Sequence, residues 1–288
     1  MFLPQLTNKI FSMLLNRIYW LLLLALTLSA CASVDLANRR SHTDAIAAQQ
    51  QWKPIRLPAH PFVLAAYIPS MPVKNEVLSV YIEGDGLAWL TRSQVSTDPT
   101  PLNPIGLELA LRHSKGTAVY LARPCQYVQG ADSVGCKAGY WTKRRFSAEI
   151  VSASSLAIDQ LKQMFGATKI VLVGYSGGGA IAALLAAKRS DVIQLVTVAG
   201  NLDHVAWTSL HHISPLDGSL NPSDAWEALQ AIPQLHFVGE KDQNVSVQVI
   251  NAYLARFPLE HQPTVRVVKD FDHICCWKDQ WAALSQQF

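Results

Sequence analysis

The chain carries little charge: 16% of its 288 residues are Asp, Glu, Lys or Arg, and together they sum to only +3. Two of the positive charges, Lys9 and Arg17, lie in the first thirty residues, which hold no acid, so the remainder stands at +1. A general nucleic-acid binder neutralises many phosphates with a basic surface, and this balance excludes that class. Internal repeats and low-complexity blocks are missing too, which removes fibrous and disordered proteins from consideration. The apolar stretch over residues 18–28 is only eleven residues long, too short to span a bilayer comfortably. What the chain has in quantity is hydrophobic residues, half of the total, ample for the core of one large domain or two small ones.

Lys9 and Arg17 ahead of that short apolar stretch give residues 1–30 the layout of an export signal. Its end, Leu28-Ser29-Ala30-Cys31, resembles the bacterial lipobox. The resemblance implies cleavage before Cys31, lipidation of that cysteine and attachment to a membrane through the lipid. Ala32, where an aspartate would change sorting, is similar to lipoproteins sent to the outer membrane, so the expected address is its periplasmic face. A start at Met13 would make the signal tighter, with Arg17 as its positive end. Residues 31–54, rich in Ala, Gln, Asn, Arg and Ser, read as a tether with one helix around 41–51.

Export places the other four cysteines in an oxidising compartment, where disulfides persist. Cys125 and Cys136 would close a short loop in a stretch rich in glycine and polar residues, and they are the favoured pair. Cys275 and Cys276 are adjacent, and three states are open to them: reduced, bridged to each other, or paired elsewhere. A metal site at His273, Cys275 and Cys276 lacks a second ligand pair at zinc spacing, so no metal is expected.

From residue 55 onward, short apolar runs recur at 62–67, 78–82, 118–122, 170–173, 192–198, 235–238 and 265–268. Stretches long enough for helices, 147–165, 178–188, 245–256 and 277–286, lie between or after the later runs. Alternating strands and helices predict one α/β domain over 55–288, a mostly parallel central sheet with helices on both faces. Two irregular insertions interrupt it, 123–146 and 201–232, and the second has the size of a small cap.

The sharpest local signal is Gly174-Tyr175-Ser176-Gly177-Gly178, set between the apolar strand 170–173 and the helical run AIAALLA. A phosphate-binding Walker loop needs a Lys followed by Ser or Thr after the second glycine, and Ala180-Ile181 stand there. A dinucleotide fingerprint needs glycine at 176 and an acid ending the next strand, where Val198-Ala199-Gly200 is found. G-x-S-x-G between strand and helix resembles the nucleophile elbow of the α/β-hydrolase superfamily, and the resemblance extends over most of residues 55–288. It implies the α/β-hydrolase fold, with Ser176 as nucleophile and no cofactor.

A serine hydroxyl at neutral pH needs a base and a carboxylate to orient that base. The superfamily places the acid and then the histidine later in the chain. His236 falls within a predicted strand and His261 before one, whereas His273 follows the strand TVRVVKD in the loop FDHICCW. Asp242, in GEKDQNV after the strand LHFV, resembles the acid of the family, with Asp203 and Glu240 as weaker alternatives and Asp272 as a loop residue. The developing oxyanion needs N–H donors. Gly177 is the first, and Glu83-Gly84-Asp85-Gly86 resembles the second oxyanion loop with Glu83 where the family places histidine, which points to Asp85 and then Gly86. In the insertions, Arg144 and Arg145 read as a solvated pair or as contacts to an anionic substrate or headgroup, and Trp207, His211 and His212 as cap residues that could line a pocket. The expectation is a hydrolase of carboxyl esters or thioesters, small-molecule or lipid, acting through an acyl-enzyme. Its rivals are a silent binding protein of the same fold and an acyltransferase using the same residues.

Overall fold

The computed structural model describes residues 38–288; the export signal, Cys31 and the first part of the expected tether lie outside the described residues. A helix occupies 38–49 (α1), and a compact unit runs over Thr43–Phe288. Among the described residues no helix is long and apolar enough to cross a membrane.

Strands β1 (Trp52–Ala59) and β2 (Phe62–Pro69) form an antiparallel hairpin. The strands β3 (Val77–Ile82), β4 (Thr117–Leu121), β5 (Lys169–Tyr175), β6 (Val192–Val198), β7 (Gln234–Gly239) and β8 (Thr264–Val268) run parallel to their neighbours, and only β2 meets β4 antiparallel. The eight strands lie in the order β1-β2-β4-β3-β5-β6-β7-β8. The mostly parallel sheet expected from the alternation is therefore present.

Successive side chains of a strand point to opposite faces, and the sheet divides its residues accordingly. Leu78, Val80 and Ile82 of β3 and Ile170 and Leu172 of β5 join one core. Tyr81, Val171, Val173 and Tyr175 join the other. The first core is closed by α3 (Ala148–Phe165), α4 (Gly177–Ala186) and α7 (Val247–Leu254). In α3 the apolar residues Ile150, Ala157, Ile158, Leu161 and Phe165 recur at helical spacing, and Gly166 at φ 65° ends the helix in the left-handed conformation. The second core is closed by α2 (Ile105–Ala110) and α8 (Trp277–Leu284), whose Trp277 and Trp281 are fully buried. The 201–232 insertion folds as α5 (His204–Leu210), a loop, a short 3-10 turn and α6 (Trp226–Leu229).

The start of the folded unit differs from the sequence expectation of residue 55. Ala47 is fully buried, Asp44 accepts a hydrogen bond from the Tyr67 hydroxyl at 2.7 Å, and β1 begins at Trp52. β1 is an edge strand carrying Lys53, Pro54, Arg56 and Pro58, and such residues on an edge hide the apolar alternation that would reveal it.

Candidate active site

Ser176 lies between the last residue of β5 and the first of α4, at φ 51° and ψ −122°. The neighbouring glycines leave the chain no other course. A Cβ on Gly174 would stand 2.3 Å from the Gly178 carbonyl oxygen, and one on Gly178 would stand 2.3 Å from the Ile82 oxygen. The strained residue is tied at both backbone groups: its N–H donates to Val198 O at 2.9 Å, and its carbonyl accepts from Gly179 N at 2.9 Å and Asn201 N at 3.0 Å.

The three side chains expected to act together meet here. Ser176 Oγ is 3.0 Å from His273 Nε2, and His273 Nδ1 is 2.8 Å from Asp242 Oδ2. Asp242 lies in the turn after β7, with its side chain out of solvent, and its Oδ1 accepts from the backbone N–H groups of Asn244 and Val245 at 2.8 Å each. His273 follows β8, and its carbonyl is held by the Tyr175 hydroxyl at 3.0 Å and by Trp277 Nε1 at 3.2 Å. Cys275 and Cys276, two and three residues further on, are bridged to each other. The other acids are engaged elsewhere: Asp203 caps α5, Glu240 accepts from Asp270 N, and Asp272 accepts from Ile274 N and Cys275 N. His236 lies buried in β7 against Thr197 and Gln234, where burial lowers its pKa to about 3.

The loop after β3 lies directly against Ser176, since a Cβ on Gly84 would stand 3.3 Å from Ser176 Cβ. The backbone N–H groups of Gly177, Asp85 and Gly86 have no acceptor among the described residues. Gly86, at φ 65°, is pressed on the Pro99 carbonyl, from which a Cβ would be 1.9 Å. Glu83 is buried beneath the loop: Oε1 accepts from Gly84 N at 2.9 Å and Gly106 N at 3.2 Å, and Oε2 from the Tyr120 hydroxyl at 3.0 Å. Burial raises its pKa to about 7, against the lowering effect of those bonds. Asp85 turns its carboxylate towards two arginines, Arg123 Nη1 at 3.1 Å and Arg145 Nη1 at 2.6 Å. Burial works to raise the Asp85 pKa, and the two guanidiniums outweigh it and hold the group below its ordinary value.

Both arginines come from the 123–146 insertion, which Cys125 and Cys136 staple with their Cα atoms 5.6 Å apart. Arg144 pairs with Glu149 at the surface and lies over the Tyr140 ring. Arg145 is buried and is no part of a solvated pair. Arg123 escapes a sequence reading because a lone arginine after a strand carries no motif. In the cap, a cavity of about 460 Å³ is lined by His204, Val205, Thr208, Ile213 and Leu216 among others. Trp207, His211 and His212 do not line it. Trp207 Nε1 and His211 Nε2 instead meet the carbonyl of Asn244, at 3.0 Å and 2.7 Å, beside the Asp242 turn, and His212 is exposed. Among the described residues no group of three His, Cys, Asp or Glu side chains is gathered as a metal ion requires.

No protein-family profile matches the chain, and no curated protein matches it by sequence. Solved structures do. Est1E from Butyrivibrio proteoclasticus superposes with a TM-score of 0.56 at 14% identity, over 82% of this chain and 96% of that one. An alpha-beta serine hydrolase homologue from Coxiella burnetii gives 0.54 at 15% identity, over 82% and 94%. The esterase Pf2001 from Pyrococcus furiosus gives 0.56 at 11% identity, over 82% and 89%. At such identities the likeness speaks for the backbone, and with the sheet order above it establishes that this chain has the α/β-hydrolase fold.

Proposed function

We propose that the chain is a serine hydrolase of carboxyl esters or thioesters. The observation that carries the reading is the unbroken path from Ser176 Oγ through His273 to Asp242 at hydrogen-bond distances. In this mechanism Ser176 attacks the ester carbonyl while its proton passes to His273 Nε2. Asp242 fixes the Nδ1–H tautomer and stabilises the imidazolium. The tetrahedral oxyanion is met by the free N–H groups of Gly177 and Asp85, whose alignment costs nothing further at the moment of reaction. Collapse hands the proton to the leaving alcohol or thiol, and water, deprotonated by His273, then releases the acid and restores Ser176.

A fluorophosphonate probe and a chain-length series of 4-nitrophenyl esters test the reading on the wild type and Ser176→Ala. The wild type is expected to label and to turn over esters, and the variant to do neither; equal rates in both would refute the mechanism.

We also infer an envelope lipoprotein, from Leu28-Ser29-Ala30-Cys31 behind the short apolar stretch. Lipidation of Cys31 would put the domain at the periplasmic face of the outer membrane, with the following residues as spacer. Globomycin is expected to leave the precursor uncleaved, and unchanged processing would remove this part of the proposal.

A further inference from the structure

Beside the nucleophile two buried guanidiniums share one carboxylate. The side chains of Arg123 and Arg145 are 5% and 7% exposed, and both pair with Asp85. Glu83 acts on Arg123 across space, but with a pKa raised to about 7 by burial it supplies only part of a charge near neutrality. Of the other acids on or beside the 123–146 insertion, Glu149 is taken by Arg144 and Asp132 by Arg56. The cluster thus keeps an excess of positive charge where little water can reach it, an arrangement that is costly unless an anion completes it.

The donors are also unevenly spent. Arg145 Nε donates to Thr142 O at 2.7 Å and Nη1 to Asp85, which leaves Nη2 with no acceptor among the described residues. Arg123 gives Nη1 to Asp85 and Nη2 to the Arg145 carbonyl, while its buried Nε meets no partner.

The position of Arg145 ties it to both sides of the reacting centre. Asp85 Oδ1, on the one side, fills the space that a Cβ of Gly177 would take, 2.1 Å from it. On the other side the Arg145 guanidinium lies 5.8 Å from the Trp207 ring. That ring hydrogen-bonds Asn244, whose N–H holds Asp242. The guanidinium therefore bridges from the oxyanion loop to the cap wall over the acid turn.

We propose that Arg145, backed by Arg123, forms a subsite for a carboxylate carried by the substrate a few bonds from its scissile ester. The proposal rests on the hydrolase reading and adds the substrate class, anionic half-esters in place of neutral esters. Planar, two-pronged donors suit a carboxylate, and a charge-assisted bond in a poorly hydrated cleft discriminates strongly against the neutral analogue.

The test compares monoethyl malonate, succinate, glutarate and adipate with ethyl esters of matched length. A parallel arm uses O-acetyl hydroxy acids against acetyl alcohols, which puts the carboxylate on the leaving-group side. Wild type is expected to favour the anionic member of at least one pair by about tenfold or more in kcat/KM. Arg145→Gln should bring that ratio close to one, whatever happens to the absolute rate, and Arg145→Lys should keep part of it. A role confined to holding the loop would lower both members of a pair alike. Because turnover depends on Ser176, the same half-esters are titrated calorimetrically into Ser176→Ala and into the Ser176→Ala/Arg145→Gln double variant, each shown by circular dichroism to be folded. Saturable binding to the first and its loss in the second support the subsite even if no ester is hydrolysed. No anionic preference in either arm with no binding to Ser176→Ala, or a preference that survives Arg145→Gln, overturns it.

Discussion

Ser176 holds φ at 51°, a left-handed conformation that costs a side-chain-bearing residue on the order of 1–3 kcal/mol and persists only where the surroundings enforce it. Here the enforcement comes from contacts that require glycine at 174 and 178, which is why the turn could be recognised from five letters of sequence. Asp242 and His273 were legible for a related reason: each follows an apolar strand, at the sheet edge where the elbow delivers Ser176. Asp242→Asn keeps the shape but offers an amide to Nδ1, and kcat is expected to fall by roughly 10³–10⁴ with KM moved little. An undiminished kcat would take Asp242 out of the mechanism. Arg145 was only half legible: adjacent arginines in a polar stretch fit a solvated pair as well as an anion contact, and only the tertiary fold buries Arg145 and leaves Arg144 half-exposed. Glu83 carries a pH signature of its own. Its folded pKa of about 7 lies above its ordinary 4.5, so the native state binds the extra proton and loses stability as pH rises from about 4.5 to about 7. Glu83→Gln imitates the protonated form. Wild-type stability relative to that variant should decline across this window and level off above it, as denaturant unfolding at several pH values would show; a flat difference would mean that the folded group titrates normally.

At the level of elements, the interior parallel strands β3 to β7 announced themselves by continuous apolar runs, as strands buried on both faces do. β1 and α2 did not, the first because charges and prolines line an edge, the second because Ile105–Ala110 is too short to show a helical period. The cap was read by its size, but its contacts were not foreseen: α5 braces the Asp242 turn through Trp207 and its own cavity lies elsewhere. The 123–146 insertion looks irregular until its staple is considered. Cys125–Cys136 restrains a loop that carries Arg123 next to one anchor and Arg145 beyond the other. Replacing both cysteines with serine should lower global stability by about 2–4 kcal/mol. It should also lower ester turnover by more than the unfolded fraction explains, because Asp85 loses the fixed placement of its partners. A variant with full stability and full turnover would show that the staple constrains nothing that matters.

For the molecule as a whole, the boundary of the domain is the clearest place where sequence and fold part. Composition put the tether through residue 54, yet Ala47 is buried in the second core and residues 52–54 pair with Tyr67, Ile68 and Pro69. Polar composition conceals such a segment because a few small buried residues one turn apart, Thr43 and Ala47, are enough to dock a short helix. A chain beginning at Thr43 should therefore be more stable than one beginning at Ile55 by at least about 2 kcal/mol, measured by urea unfolding. Equal midpoints would return residues 43–54 to the role of spacer.

The site is assembled from loops far apart in the chain, with His273 supplied by the turn between the last strand and the last helix. This has a consequence in time. Under the proposed hydrolase and export readings, Ser176 is synthesised nearly a hundred residues before His273, the partner that would activate it, and Trp277, which donates to the His273 carbonyl, emerges later still. On these readings reactivity would arise only when the C-terminal turn closes over the sheet, and the compartment that synthesises the protein would never meet a competent nucleophile. The order of residues along the chain would then work as a safety interlock.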